Sequence, residues 1–172
     1  MTAAEAFQSV TGGGANDFAD VVQILALHPP WCLIGGLAVN CFVDPVYTLD
    51  ADLVVVSETL PAIESALTMA GFVTRRFPHS LNAQRGRSQL QIQFSTDPRY
   101  AEFVHSTEER EVLGVKVRVA TLENLIRGKV WAWRDPARRA SKRKKDELDL
   151  LRIAEAYPNL HSQIPPEIVA QL

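Results

Sequence analysis

Two stretches decide how this chain reads: Trp31-Cys32-Leu33-Ile34-Gly35-Gly36-Leu37-Ala38-Val39, and then Thr48-Leu49-Asp50-Ala51-Asp52-Leu53-Val54-Val55-Val56. The first is a short apolar run ended by two glycines. The second is an apolar run opened by two aspartates. On a strand, residues two apart share a face, so Asp50 and Asp52 would set their carboxylates side by side. Glycine makes easily the bend that turns the first strand into a helix, from Leu37 to Phe42, and lets the backbone approach a ligand closely. Two like charges on one face are costly to bury without a cation. Mg²⁺ is commonly held by one or two carboxylates together with substrate phosphates, and amides at a helix start receive phosphate well. The two motifs together therefore predict a seat for Mg²⁺ on Asp50 and Asp52, with a nucleoside triphosphate along Gly35 and Gly36. Alone, the glycines read as a tight turn and the acids as a solvent-facing strand start; their order and proximity favour chemistry.

Working outward, Asp17 to Leu27 has helical spacing, with Phe18, Val21, Val22 and Leu25 on one side, and Pro29-Pro30 stops it. Residues 1–16 are weakly patterned, with Gly12-Gly13-Gly14 as a flexible break. After the strand Thr48–Val56, Ser57 is placed to cap a helix whose inner face is Leu60, Ile63, Leu67 and Met69-Ala70, ended by Gly71. Phe72–Phe77 and Gln89–Ser95 alternate as strands, with a turn at Arg85-Gly86-Arg87 between them. Arg110–Ala120 reads as one further extended stretch bent at Gly114. Thr121 then caps a helix striped by Leu122, Leu125, Ile126, Val130 and Trp133, and Asp135-Pro136 breaks it. A second helix spans Ala140 to Ala156, with Leu148, Leu151 and Ile153 inward. The expected architecture is α+β: a mixed sheet of four to five strands with helices packed on it. Residues 1–172 read as a single domain, with a core at 17–120 and a C-terminal helical part at 121–172.

Composition narrows the function classes. With 47% hydrophobic and 22% charged residues, the chain reads as an ordinary globular protein. It has no run long enough for a membrane helix and no secretory pattern at Met1–Glu5. Cys32 and Cys41 sit in apolar surroundings, which suits thiols in a reducing cytoplasm. The histidines have no zinc spacing, and no Walker loop is present. Charge is lopsided: Arg127 to Lys145 holds nine basic residues against the single acid Asp135, a net of +8, so the remainder carries −10. That segment points to a polyanion, either a triphosphate or RNA. Its run Lys142–Lys145 alone reads as a solvated helix face.

The residues 34–39 and 48–54 resemble the signature of nucleotidyltransferases with the DNA polymerase β-like fold. In that family the Gly-Gly loop holds triphosphate and the acid-apolar-acid strand holds Mg²⁺. The later pieces Leu125-Ile126-Arg127-Gly128-Lys129 and Lys142-Arg143-Lys144-Lys145-Asp146-Glu147-Leu148-Asp149 are similar to the abortive-infection branch, the AbiE-type toxin nucleotidyltransferases. The resemblance places Lys129 on the nucleotide and Asp146 as the later catalytic acid, with Asp149 beside it. From the residues alone, Asp146 and Asp149 also fit helix electrostatics, paired with Lys142 and Lys145 at i,i+4, and Lys129 fits a solvated face. The third strand acid of the superfamily is missing: Gln91 and Gln93 stand on the matching strand. The resemblance implies an Mg²⁺-dependent transfer of a nucleoside monophosphate to a hydroxyl of RNA, a small molecule or a protein, with a toxin–antitoxin pair as one setting. The glutamines favour an alternative, a catalytically silent module that binds nucleotide or a partner protein.

Overall fold

In the computed structural model, which describes residues 1–172, the two decisive stretches become neighbouring central strands. Trp31–Ile34 is β1 and Asp50–Val55 is β2, antiparallel, with Ile34 opposite Asp52 and Leu33 opposite Leu53. Between them Gly35–Val39 forms the short helix α3, which begins on the glycines themselves. Ahead lie α1 (Ala3–Thr11) and α2 (Gly14–Ala26), and behind come α4 (Leu60–Met69) and the strands β3 (Val73–Phe77), β4 (Ser80–Gln84) and β5 (Gln91–Ser95). A 3₁₀ segment (Pro98–His105) leads to β6 (Thr107–Val112) and β7 (Val115–Ala120). The chain ends in α5 (Leu122–Arg134), α6 (Ala140–Ala156), a second 3₁₀ segment (Pro158–Gln163) and α7 (Pro166–Val169).

The α+β architecture and mixed sheet hold, but the sheet has seven strands instead of four to five, in the order β3-β4-β5-β2-β1-β7-β6. Two strands account for the difference. Ser80–Gln84 alternates only weakly, with Leu81 and Ala83 as its apolar residues, yet both are buried against β5. The stretch bent at Gly114 is a hairpin: Leu113 (φ 49°) and Gly114 (φ 84°) are both left-handed, the two-residue turn that matches strand twist. The bend at Gly114 was legible, but charge hid β6 as a strand of its own, since it is Thr-Glu-Glu-Arg-Glu-Val and lies at the sheet edge.

Other local expectations shift as well. Residues 3–11 form a helix closed by a capping box between Thr2 and Glu5, and Gly12 (φ 67°) is its left-handed cap, not a loose break. Thr59, not Ser57, occupies the cap of α4, without a side-chain bond. Met69 and Leu148 point outward instead of inward. Thr121 caps α5 as its position suggested, accepting from the Asn124 N–H.

The sheet has two unlike faces. Leu53, Phe94 and Leu81 align across β2, β5 and β4, as do Ala51, Ile92 and Ala83. All six are buried, in the same core that takes Phe18 and Leu25 of α2 and Ile63 and Leu67 of α4. On the opposite face Asp52 aligns with Gln93, Asn82 and Arg75, polar from β2 out to the edge. Alternation along each strand thus separates the core from the surface on which the candidate site stands.

Candidate functional site

Gly35 is required by contact as well as by conformation. Its φ of +76° lies in the left-handed region, and a Cβ there would collide with Asp52 Oδ2 and sit 3.1 Å from both Cβ and Cγ of that side chain. The start of α3 therefore lies directly against the second aspartate. Gly36 is different: a Cβ would meet nothing nearer than Thr48, at 3.7 Å, and its φ is ordinary.

Asp50 and Asp52 share one face of β2, both partly buried. The Thr48 hydroxyl accepts from the Asp50 N–H at 3.2 Å and steadies the strand start. Asp50 Oδ2 is met by Lys142 Nζ at 2.8 Å, reaching from α6. The Asp52 side chain, unlike its backbone in the sheet, has no hydrogen-bond or ion-pair partner. Burial pushes its carboxyl up to about 6, and the neighbouring Asp50 adds to the rise, while Lys129, Lys142 and Arg138 pull against it. A partly buried carboxylate that is hard to ionise, beside a second carboxylate, is a donor set that accommodates a divalent cation, and these two residues fit Mg²⁺. No cluster of three or more acidic, histidine or cysteine ligands exists anywhere in the chain. Across the parallel β2–β5 pairing, Gln91 stands opposite Asp50 and Gln93 opposite Asp52, so an amide occupies the place nearest the pair.

The second half of the site is a lattice of ion pairs between α5 and α6. Lys129 Nζ lies 3.1 Å from Asp146 Oδ1 and 2.8 Å from Asp149 Oδ2. Arg138 Nε donates to Asp146 Oδ2 at 2.6 Å, and Arg152 donates to Asp149 Oδ1 at 2.7 Å. Arg152 continues to Asn40 Oδ1 at 3.1 Å and to the Asp44 carbonyl, tying α6 to the end of α3. Burial disfavours the Lys129 ammonium, but Asp149 and Asp146 outweigh it and hold its pKa above the ordinary value. The solvated-face reading of Lys129 therefore does not hold. Nor do the i,i+4 pairs of Lys142 with Asp146 and Lys145 with Asp149 form: both acids turn inward, where buried partners bind more strongly than exposed ones.

Two cavities meet at Asp52, Lys129, Arg138 and Asp146. The smaller, about 190 Å³, is bounded by Gly36, Thr48 and Asp50 and by the cations Lys142, Lys145 and Arg152. The larger, about 310 Å³, opens toward Gln93 and Ser95 of β5, Tyr100 and Phe103 of the 3₁₀ segment, and Asn124 of α5. All of Gly35, Gly36, Asp50, Asp52, Lys129 and Asp146 line one or both, so the residues singled out from sequence converge here. Sequence reading missed Arg152 and the particular use of Arg138 and Lys142. Arg152 follows Asp149 by three residues and Asp149 follows Asp146 by three, a helical stripe of charge that signals an inward-facing network. Trp131 and Trp133 are partly buried; Trp131 stacks on Phe103 at 5.9 Å and meets Tyr100 edge-on at 5.5 Å.

A mixed sheet that carries an aspartate pair on a central strand, against a helix opened by glycine, has the nucleotidyltransferase fold. The solution structure of the antibiotic-resistance factor ANT(2″)-Ia is similar over 94% of this chain and 91% of that one, at 15% identity and a TM-score of 0.63. The same factor in complex with adenylyl-2″-tobramycin matches over 91% and 95%, at 16% identity and 0.60. JHP933 from Helicobacter pylori matches over 92% and 71%, at 18% identity and 0.52. At such identities the likeness is one of fold. Residues 20–169 match the family model described as nucleotidyl transferase AbiEii toxin, type IV toxin–antitoxin system, and the chain belongs to that family. A comparison with curated protein sequences gives no match. No helix is long and apolar enough to cross a membrane.

Proposed function

We propose that the protein transfers a nucleoside monophosphate from a nucleoside triphosphate to an acceptor hydroxyl, with Mg²⁺ as cofactor. Asp50 and Asp52 would hold the cation, which when bound supplies charge neutralisation on the phosphate oxygens. The observation that carries the reading is Asp52: a carboxylate without a partner, pushed toward neutrality, at the point where a cationic cavity meets a neutral one. The triphosphate would lie in the smaller cavity, along Gly36, with Lys142 and Lys145 toward its outer phosphates and Gly35 at the border with the larger cavity. The acceptor oxygen bonds to the α-phosphorus as the bridge to the β-phosphate breaks; pyrophosphate departs and the hydroxyl proton passes to solvent water. Asp146 was the sequence's candidate for base, but both its oxygens are engaged by Lys129 and Arg138. In this reading it holds those two cations beside the phosphates.

The test is incubation with labelled triphosphates, Mg²⁺ and total RNA, since the basic segment Arg127–Lys145 makes RNA one candidate acceptor besides a small molecule or a partner protein. Label transfer that disappears in Asp52→Ala supports the reading. Nucleotide binding without transfer to any acceptor supports the second reading, a silent nucleotide-binding module, which the placement of Gln93 opposite Asp52 favours.

A further inference from the structure

Besides Gly35, Asp52, Lys129 and Asp146, the larger cavity is lined by residues that no sequence motif singled out, and its charges pair in place. Asp97 takes Arg99 in a two-pronged ion pair, 2.9 Å from Nη2 and 3.2 Å from Nε, and also accepts the Arg99 backbone N–H at 3.0 Å. Asp146 is held by Arg138 and Lys129. Each of these acids therefore already has a cation of its own. The remaining carboxylate, Asp52, is the one that the proposed reaction assigns to the metal.

Apart from His79, which offers no negative charge, what is left facing the space is uncharged. Gln93 stands beside Asp52, Ser80 pairs with Ser95 on the same sheet face, and Asn124 projects from the first turn of α5. Tyr100 forms part of the wall, packed so closely on α5 that a Cβ on Gly128 would lie 3.2 Å from its ring. Amides and hydroxyls both donate and accept hydrogen bonds, which matches the dual character of a hydroxyl group. They offer an ammonium no opposite charge, and Arg99, Lys129 and Arg138 would repel one.

We infer that this cavity is the acceptor subsite, and that it takes an uncharged polyhydroxyl group in preference to an ammonium-bearing acceptor. The inference rests on the transfer reaction proposed above and names the class of acceptor that the reaction would use. The same chemistry is presented by a free nucleoside and by the ribose end of an RNA strand.

The experiment runs at pH 8 with Mg²⁺ and labelled triphosphates, with three separate acceptors: adenosine, a short oligoribonucleotide with a free 3′ end, and tobramycin. Label on adenosine or on the oligoribonucleotide, and none on tobramycin, is the expected result, and the arm that labels identifies the source. Transfer to tobramycin as fast as to either neutral diol overturns the inference. A calorimetric titration of tobramycin is run beside it on the wild type and on a Gln93→Glu/Asn124→Asp double variant. The added acids should tighten tobramycin binding by about tenfold or more; equal binding to both proteins overturns the inference. This arm needs no turnover. If Mg²⁺–nucleotide fails to bind at all, the proposed activity falls, and the tobramycin comparison still decides the charge preference of the cavity.

Discussion

The floor of the site and its roof handle charge in opposite ways. On the floor, β2 sets Asp50 and Asp52 on one face, and the fold supplies a single lysine, from α6, to the first of them. In the roof, α5, α6 and the turn between them bring Asp146 and Asp149 together with Lys129, Arg138 and Arg152, and both carboxylates have a cation at 3.1 Å or closer. The roof is self-neutralised and locks two helices together. The floor is left under-compensated, and it is there that the proposed cation would bind. Unmet charge marks where chemistry is proposed, and met charge marks what holds it in position.

The comparison breaks most visibly at Lys129. Lys129→Met leaves Asp146 and Asp149 buried with one shared cation removed, and should destabilise the protein by about 3–5 kcal/mol in urea titration. Adding Asp149→Asn should recover a good part of that loss; no recovery would mean that the lysine acts through packing and not charge. Next in size is Gly35→Ala, where a left-handed backbone and the Asp52 carboxylate both oppose a Cβ, at an expected cost of about 2–3 kcal/mol. Gly36→Ala has room and should cost markedly less. Pairing Gly35→Ala with Asp52→Ala in a double-mutant cycle should show coupling, because the second change removes the atoms that collide.

Asp52→Asn should go the other way and stabilise the floor. The folded pKa of about 6 lies above the ordinary value of 3.8, so the native state holds its proton more tightly than the unfolded chain does. The cost of ionising Asp52 is therefore absent below pH 4, grows between pH 4 and 6, and is complete above that. At pH 8 the asparagine should add about 1–3 kcal/mol, and near pH 4 almost nothing, as thermal melts at the two values would show. Mg²⁺ should raise the melting temperature of the wild type and have little effect on this variant. The smallest effect is expected of Lys142→Met, whose pair with Asp50 is one-third exposed: about 0–1 kcal/mol, shrinking as salt is added.

How much of this was legible in the chain follows the range of the interactions. The floor was readable because its signals are local: a glycine pair closing one apolar run, and two acids at a spacing of two opening the next. The roof was only half readable. Lys129 and Asp146 could be named, but their mutual pairing depends on how α5 meets α6, and helical spacing alone suggested the wrong partners for Asp146 and Asp149. Charge also concealed β6, whose four charged residues lie on an edge strand where solvent accepts them. Weak apolar content concealed β4, which is held by long-range pairing with β5 and not by its own composition.

The parallel pairing of β1 with β7 joins Leu33 to Val119, and the roof follows only after that strand. Synthesis from the N-terminus therefore delivers Asp50 and Asp52 nearly a hundred residues before Lys142 and some eighty before Lys129. A nascent chain on the ribosome carries the proposed metal pair long before it has the cationic helices that would hold a nucleotide above it. Competence would thus arrive late in translation, with the docking of α6, and any product truncated within α5 would be inert.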